Sequence, residues 1–79
     1  MTTSEAARPT PIRSAEALGR AIRRARQREG ITQAELGARA RATRQAIIAL
    51  ESGHETRALE QVFDTLAALD LELAVRPRR

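Results

Sequence analysis

Apolar and polar positions recur with a helical period in four stretches of the chain. After Ser14, apolar side chains are three and four residues apart until Gly30, which predicts a first helix with a glycine stop. Two short helices are expected within 32–53. A fourth, at about 57–69, has the strongest amphipathic stripe in the chain, formed by Leu59, Val62, Phe63, Leu66 and Leu69.

The segment 32–53 contains two helix-start signals only eleven residues apart, at Thr32 and Thr43. Thr32 has the spacing of a capping box with Glu35, Thr43 is a good N-cap, and Gly53 stands where the second helix needs a left-handed stop. This pattern predicts two short helices joined by a tight turn, a helix-turn-helix with its recognition helix at 44–52. The positions expected to pack the two helices together are Leu36, Ala40, Ala42, Ile47 and Leu50, with Gly37 permitting their close approach.

The period changes to two at residues 71–76, and Pro77 ends the alternation, so we expect one strand there. A lone strand leaves its backbone groups unpaired, and the pattern offers no second strand. The simplest partner is the same strand of a second copy, related by a twofold axis. The residues expected at this homodimer interface are Leu66, Leu69, Leu71, Leu73 and Val75.

These elements predict a mainly α fold with one domain. Residues 1–13 show no period and are expected to form a disordered tail, residues 14–76 the helix-turn-helix and dimerisation domain, and residues 77–79 a basic tail. A chain of 79 residues has too small a core for much stability, which again favours dimerisation.

Composition narrows the function. Cysteine is absent, and no apolar run reaches membrane-spanning length, so we expect a cytoplasmic, nucleoid-associated protein with no membrane partner. We expect no enzyme, no catalytic residue, no cofactor and no metal site, because the chain lacks a Gly-rich phosphate loop and a Ser–His–Asp set. His54, the sole histidine, is interpreted as a loop residue rather than a metal ligand.

Charge points to a polyanionic partner. The net charge is +4, and every basic residue is an arginine, which makes bidentate contacts that lysine cannot. With Phe63 as the one aromatic residue, there is no stacking platform for single strands, so double-stranded DNA is the expected nucleic acid. Arg and Gln at a helix start suit guanine and adenine edges in the major groove. The expected base contacts are Arg44, Gln45, Ile48 and Ala49.

Several of these residues together resemble a known family. Arg26, Gly30, Thr32-Gln33-x-Glu35-Leu36, Arg44-Gln45-x-Ile47 and Leu50-Glu51-x-Gly53 resemble the XRE-type repressor domain, also found in phage repressors. The resemblance covers about residues 14–69 and implies a four-helix, lambda-repressor-like domain. It also implies that Arg44 and Gln45 enter the major groove, that Gln33 contacts phosphate, and that Arg26 and Glu51 form a partly buried structural ion pair. The full set of expected phosphate contacts is Gln33, Thr43, Arg41 and Ser52.

Two positions depart from the family pattern. Arg41 stands where the turn usually has a left-handed glycine, so the turn is either altered or strained by roughly 1 kcal/mol. Ile48 stands where the outward face is usually polar, and it either touches a thymine methyl or turns into the core. The arginines at 20, 23, 24 and 28 are expected to form a solvated helix face, and the alternative is that some of them contact phosphate or a protein toxin bound as a partner.

The arrangement of a strand directly after the last helix resembles that of the HipB-type antitoxins. These are small dimers that pair C-terminal strands, bind operator DNA and hold a HipA-type serine/threonine kinase toxin inactive. The resemblance implies a repressor that reads palindromic half-sites roughly 34 Å apart, autoregulates its operon and binds such a toxin. The alternatives are a stand-alone XRE-type regulator with no toxin partner, and a protein-interaction module whose basic face docks an acidic protein instead of DNA.

Overall fold

The structure, a computed structural model, describes residues 8–78. This part of the chain is mainly helical, as predicted, and none of its helices is long and apolar enough to cross a membrane. In chain order the elements are β1 (Thr10–Ile12), α1 (Ala15–Glu29), α2 (Gln33–Ala40), α3 (Arg44–Glu51), α4 (Arg57–Ala68) and β2 (Leu73–Val75).

All four of these helices begin at a hydroxyl cap, as predicted for those at Thr32 and Thr43. The side-chain oxygens of Ser14, Thr32, Thr43 and Thr56 each accept a hydrogen bond from the backbone amide three residues later, at 3.0–3.2 Å. Each cap satisfies an amide that has no partner inside its own helix. The helix starts are therefore specified locally, by one side chain each.

The strand at the C-terminal end has a partner within its own chain. β1 pairs with β2 in an antiparallel ribbon, with Thr10 opposite Val75 and Ile12 opposite Leu73. The expected disordered tail is therefore wrong for Thr10–Ile12, and the expectation of no second strand is also wrong; residues 1–7 lie outside the described residues. Three residues are too few to show a period of two, so the pattern along the chain could not reveal β1.

β2 is shorter than the predicted strand 71–76 because the end of α4 extends towards it. Asp70 adopts a left-handed conformation with φ +57°, and the amide of Leu71 donates to the carbonyl of Leu66 at 2.8 Å. This is the hydrogen bond that closes a helix C-terminus. Leu71 consequently belongs to the helix stop rather than to the strand.

The core is small and lies where α1, α3 and β1 meet. Among the described residues, the buried apolar side chains are Ile12, Ala15 and Ile47. Ile12 is 1% exposed, although it lies in the segment expected to be disordered. The ribbon therefore covers one end of the helical domain, and Ile12 anchors it there.

The rest of the apolar surface is only partly covered. Ala40, Ala42 and Leu50, expected to pack α2 against α3, are exposed, whereas Gly37 and Ile47 are buried. α4 has no buried residue and packs only sparsely against the other elements. Leu69 is 64% exposed and Leu71 is 56% exposed. The single chain thus covers the amphipathic stripe of α4 only in part: Leu59, Phe63 and Leu66 are half-buried, and Val62 and Leu69 are exposed.

Candidate nucleic-acid interface

The start of α2 is fixed by a complete capping box. Thr32 Oγ1 accepts from the amide of Glu35 at 3.0 Å, and Glu35 Oε1 accepts from the amide of Thr32 at 3.0 Å. These hydrogen bonds, the backbone one foremost, lower the pKa of Glu35. The box therefore holds the first residue of α2, Gln33, in a defined position at the helix N-terminus.

The turn between α2 and α3 keeps the left-handed geometry that a glycine would favour. Arg41 has φ +57°, and the amide of Ala42 donates to the carbonyl of Gly37 at 2.8 Å. A Cβ at Gly37 would lie 2.8 Å from the Ala42 carbonyl oxygen, so this position must be glycine for the turn to close so tightly. Of the two alternatives for Arg41, the turn is unaltered and the residue is held in a conformation that L side chains rarely adopt.

α3 presents a polar and an apolar side. Ile47 is 3% exposed and anchors the helix in the core, while Arg44 and Gln45 in its first turn are exposed. Ile48 is exposed as well, so it does not turn into the core. Ala49 is half-buried. The first turn of α3 thus offers a guanidinium and an amide to a partner outside the domain.

Arg26, Gln33 and Glu51, here called the Glu51 cluster, join three helices. Arg26 Nε and Nη2 donate to the two carboxylate oxygens of Glu51 at 2.5 and 3.0 Å, and Arg26 Nη1 donates to the carbonyl of Ile31 at 3.0 Å. Gln33 Nε2 donates to Glu51 Oε1 at 3.2 Å. The ion pair expected from the sequence is therefore present, and its side chains are only 14% and 5% exposed.

The cluster has a clear electrostatic effect. The hydrogen bond from Arg26 lowers the pKa of Glu51 more than its burial raises it, and the same hydrogen bond raises the pKa of Arg26. Both groups are consequently charged at neutral pH, and each neutralises the other. The pair fixes the end of α3 to α1. The second N–H of the Gln33 side-chain amide and its oxygen remain available for a further ligand.

A cleft of about 390 Å³ adjoins the Glu51 cluster. It brings together Gln33 and Ser52, two of the four expected phosphate contacts, with Ile48, one of the expected base contacts. Arg23 of α1 also lines it. The sequence placed Arg23 only in a general arginine stripe, because its position beside α3 depends on how the helices cross.

The crossing of α1 and α3 depends on Gly19, a residue that the sequence analysis did not single out. Gly19 is buried, and a Cβ built there would lie 2.4 Å from the Leu50 carbonyl oxygen and 2.8 Å from that of Glu51. A side chain would therefore separate the helices that the Arg26–Glu51 pair joins. Its signal in the sequence was a glycine inside a helix, which is costly without a packing reason.

The other predicted sites lie elsewhere. The predicted dimer residues lie on α4, on β2 and between the two, and His54 is an exposed loop residue between α3 and α4. Within residues 8–78, no three His, Cys, Asp or Glu side chains are grouped so that they could hold a metal ion.

One comparison with known proteins agrees with the helix-turn-helix seen in the structure. A protein-family model described as helix-turn-helix matches residues 22–74, which include α2, the turn, α3 and α4. No curated protein and no solved structure matches the chain significantly.

Proposed function

The chain belongs to the XRE-type helix-turn-helix family of DNA-binding regulators, and from this premise we propose that it is a sequence-specific repressor of double-stranded operator DNA. The observation that carries the proposal is the first turn of α3. Its exposed Arg44 and Gln45 project from a helix whose other side is fixed in the core by Ile47. Arginine and glutamine so placed can donate and accept in pairs with guanine and adenine edges.

Phosphate contacts would position this helix. Thr43 and Gln33 lie at the N-terminal ends of α3 and α2, where free amides and the helix dipole favour anions. Gln33, Ser52 and Arg23 line one cleft beside α3, and Arg41 is exposed in the turn. We assign these groups to the DNA backbone, and Arg44, Gln45, Ile48 and Ala49 to the bases, with Ile48 contacting a thymine methyl.

Selection from a pool of random duplexes tests the proposal. The wild-type chain should select one motif, and the Arg44→Ala, Gln45→Ala double variant should lose base preference within it. Arg57→Ala is the matched control, because Arg57 is an exposed arginine in the first turn of another helix, α4. Enrichment of no motif by the wild type, or an equal loss of preference in the control, would contradict base reading by α3.

We further propose that the protein acts as a homodimer in the cytoplasm. The support is the uncovered apolar side of α4 and of the segment after it, where Val62, Leu69, Leu71, Leu73 and Val75 are each at least 38% exposed. Covering this surface with a second copy would supply the apolar burial that the small core of one chain lacks. Because β2 already pairs with β1, a strand contact between copies would add to the ribbon rather than replace it.

Sedimentation velocity tests the dimer. Leu69→Glu should shift the protein to monomer and weaken binding to a palindrome much more than to a half-site, because the two half-sites are then bound independently. Ala68→Glu is the control, since Ala68 is exposed on the side of α4 opposite its amphipathic stripe. A Leu69→Glu protein that remains dimeric would place the interface elsewhere.

The strand β2 after α4 favours one more specific role, an antitoxin that is HipB-like and binds a HipA-type kinase toxin. Its support is the strand placed directly after the last helix of the domain. Co-expression of the chain with the product of a neighbouring kinase-like gene should restore growth that the kinase alone arrests. Without such a neighbour, the stand-alone regulator is the better description.

A further inference from the structure

An open groove of about 960 Å³ lies between α1 and the β-ribbon. Its lining has an apolar part formed by Ile22 and Ala25 of α1, and by Val75 and Pro77 at the C-terminal end of the chain. No aromatic side chain takes part in this lining. We call this surface the basic groove because of the arginines around it.

Four arginines line the groove, two from α1 and two from the segment after β2. Arg24 and Arg28 are one helical turn apart on α1, and Arg76 and Arg78 follow β2. Among residues 8–78, none of the four guanidinium groups forms a hydrogen bond or a salt bridge, so all four can pair with a ligand. The lining is completed by Arg8, Thr10, Ala21 and Glu29, the last being its one acidic residue.

The groove lies on the side of α1 away from α3. Gly19 marks the side of α1 that touches α3, since a Cβ built there would overlap the carbonyls of Leu50 and Glu51. At 3.6 residues per turn, Ala21 and Arg28, which both line the groove, lie on the opposite side of the helix. A duplex held by the outward side of α3 therefore leaves the basic groove accessible.

We propose that the basic groove binds an acidic, amphipathic segment of a partner protein. Apolar side chains of the segment fill the space over Ile22 and Ala25, and its carboxylates pair with the arginines at the edges in bidentate hydrogen bonds. Nucleic acid fits less well, because a phosphate backbone offers nothing apolar and the groove has no ring on which a base could stack. A second copy placed in this groove would bring its own arginines against those of the lining, so charge complementarity at the groove favours a different, acidic partner.

A synthetic peptide provides the probe. It has about 14 residues, roughly four helical turns, with leucines along one side and glutamates on both flanks, and carries a fluorophore. Its Kd for the full chain is measured by fluorescence anisotropy at physiological salt. The Arg24→Glu, Arg28→Glu variant should weaken binding about tenfold or more, because attraction is replaced by like-charge repulsion.

The matched control is Arg20→Glu with Arg57→Glu, the same change in net charge at exposed positions outside the groove. This control should bind the peptide nearly as well as the wild type. An equal loss in both variants would mean general charge attraction and overturn the proposal. A peptide with serines in place of leucines should bind more weakly, and equal affinity would show that the apolar part of the groove is not used.

Two further measurements separate this inference from the proposed DNA recognition. Binding of the Arg24→Glu, Arg28→Glu variant to a selected duplex should fall no more than that of the control variant. A larger fall would identify the groove as a nucleic-acid surface. Sedimentation of the variant should show an unchanged oligomeric state, and dissociation would identify the occupant of the groove as a second copy. A larger fall in DNA binding or a dissociation would each overturn the proposal, and neither would bear on base reading by Arg44.

Discussion

Gln33 donates a hydrogen bond from its Nε2 to Oε1 of Glu51 at 3.2 Å, which ties the first residue of α2 to the last residue of α3. The same carboxylate receives two hydrogen bonds from Arg26 of α1. One glutamate therefore sets the relative positions of the three helices that carry the proposed DNA contacts.

Arg26 and Glu51 should be energetically coupled. Their side chains are largely shielded from water, so removing one partner leaves a charge without compensation. Arg26→Met and Glu51→Leu should each destabilise the protein strongly, while the double variant recovers much of the loss. Urea unfolding of the two single variants and the double gives the coupling, which should exceed the ~1 kcal/mol ceiling typical of exposed pairs. A value near zero would contradict the structural role of the pair.

Glu51 should make stability depend on pH in the acid range. Its pKa is lowered in the folded protein, so the unfolded chain binds more protons in the interval between the two pKa values. The stabilisation is thus fully present above the ordinary glutamate pKa of about 4.3 and is lost as pH falls through the folded value. As pH falls below the ordinary glutamate pKa and through the folded value, the free energy of unfolding measured in urea should decrease more for the wild type than for Glu51→Gln.

Glu35 provides the check on that assignment. Its pKa is also lowered, chiefly by its hydrogen bond with the backbone of Thr32, so it contributes over the same acid interval. The Glu35→Gln, Glu51→Gln double variant should show a flatter profile than either single variant. If Glu51→Gln has the same acid profile as the wild type, the lowered pKa of Glu51 is not a source of the pH dependence.

The helix boundaries were predictable from the sequence because they depend on local chemistry. Thr32, Thr43 and Thr56 cap the helices through side chains that reach only three residues along the chain. Gly30 and Gly53 have φ +68° and +79°, which is the left-handed stop that their positions indicated. The resemblance to a family added the Arg26–Glu51 pair, which no local rule predicts.

The features that the sequence did not reveal depend on contacts between distant segments. Among residues 8–78, Ile12 has the most buried side chain, and it lies in β1, whose partner β2 is more than sixty residues away. Leu50 shares the helical pattern of a core residue but remains 39% exposed, since the other elements cover it only in part. The contact of Gly19 with α3 likewise exists only once the helices cross.

Gly19→Ala should destabilise the protein. Alanine favours an isolated helix over glycine by about 1 kcal/mol, but its Cβ would overlap the backbone carbonyls of Leu50 and Glu51. Overpacking of this kind costs about 1–3 kcal/mol or more, and the clash is with backbone that cannot rotate away. Urea unfolding should show a net loss for Gly19→Ala and little change for Arg20→Ala, an exposed neighbour in the same helix. A gain at Gly19 would contradict the close helix crossing.

Gln33 and Arg44 should affect DNA binding differently. Arg44→Ala should cost about 1–3 kcal/mol on the selected site and relax preference at one base position. Gln33→Ala should weaken binding evenly across sequences, since phosphates carry no base identity. Binding profiles over a set of single-base variants of the site measure both, at fixed salt. The reverse assignment would mean that α3 is rotated relative to the DNA from the arrangement proposed.

Arg41 should be a strained position whose replacement by glycine stabilises the fold. Its φ of +57° costs an L residue roughly 1 kcal/mol, and glycine adopts this conformation without that cost. Arg41→Gly should therefore be more stable than the wild type by up to about 1 kcal/mol in urea unfolding, less the entropy that glycine adds to the unfolded chain. Arg41→Ala is the matched control, because it removes the same guanidinium but keeps a Cβ. Both variants should lose DNA affinity equally if Arg41 contacts phosphate, and only the glycine variant should gain stability. Equal stability of the two variants would show that the turn holds Arg41 without strain.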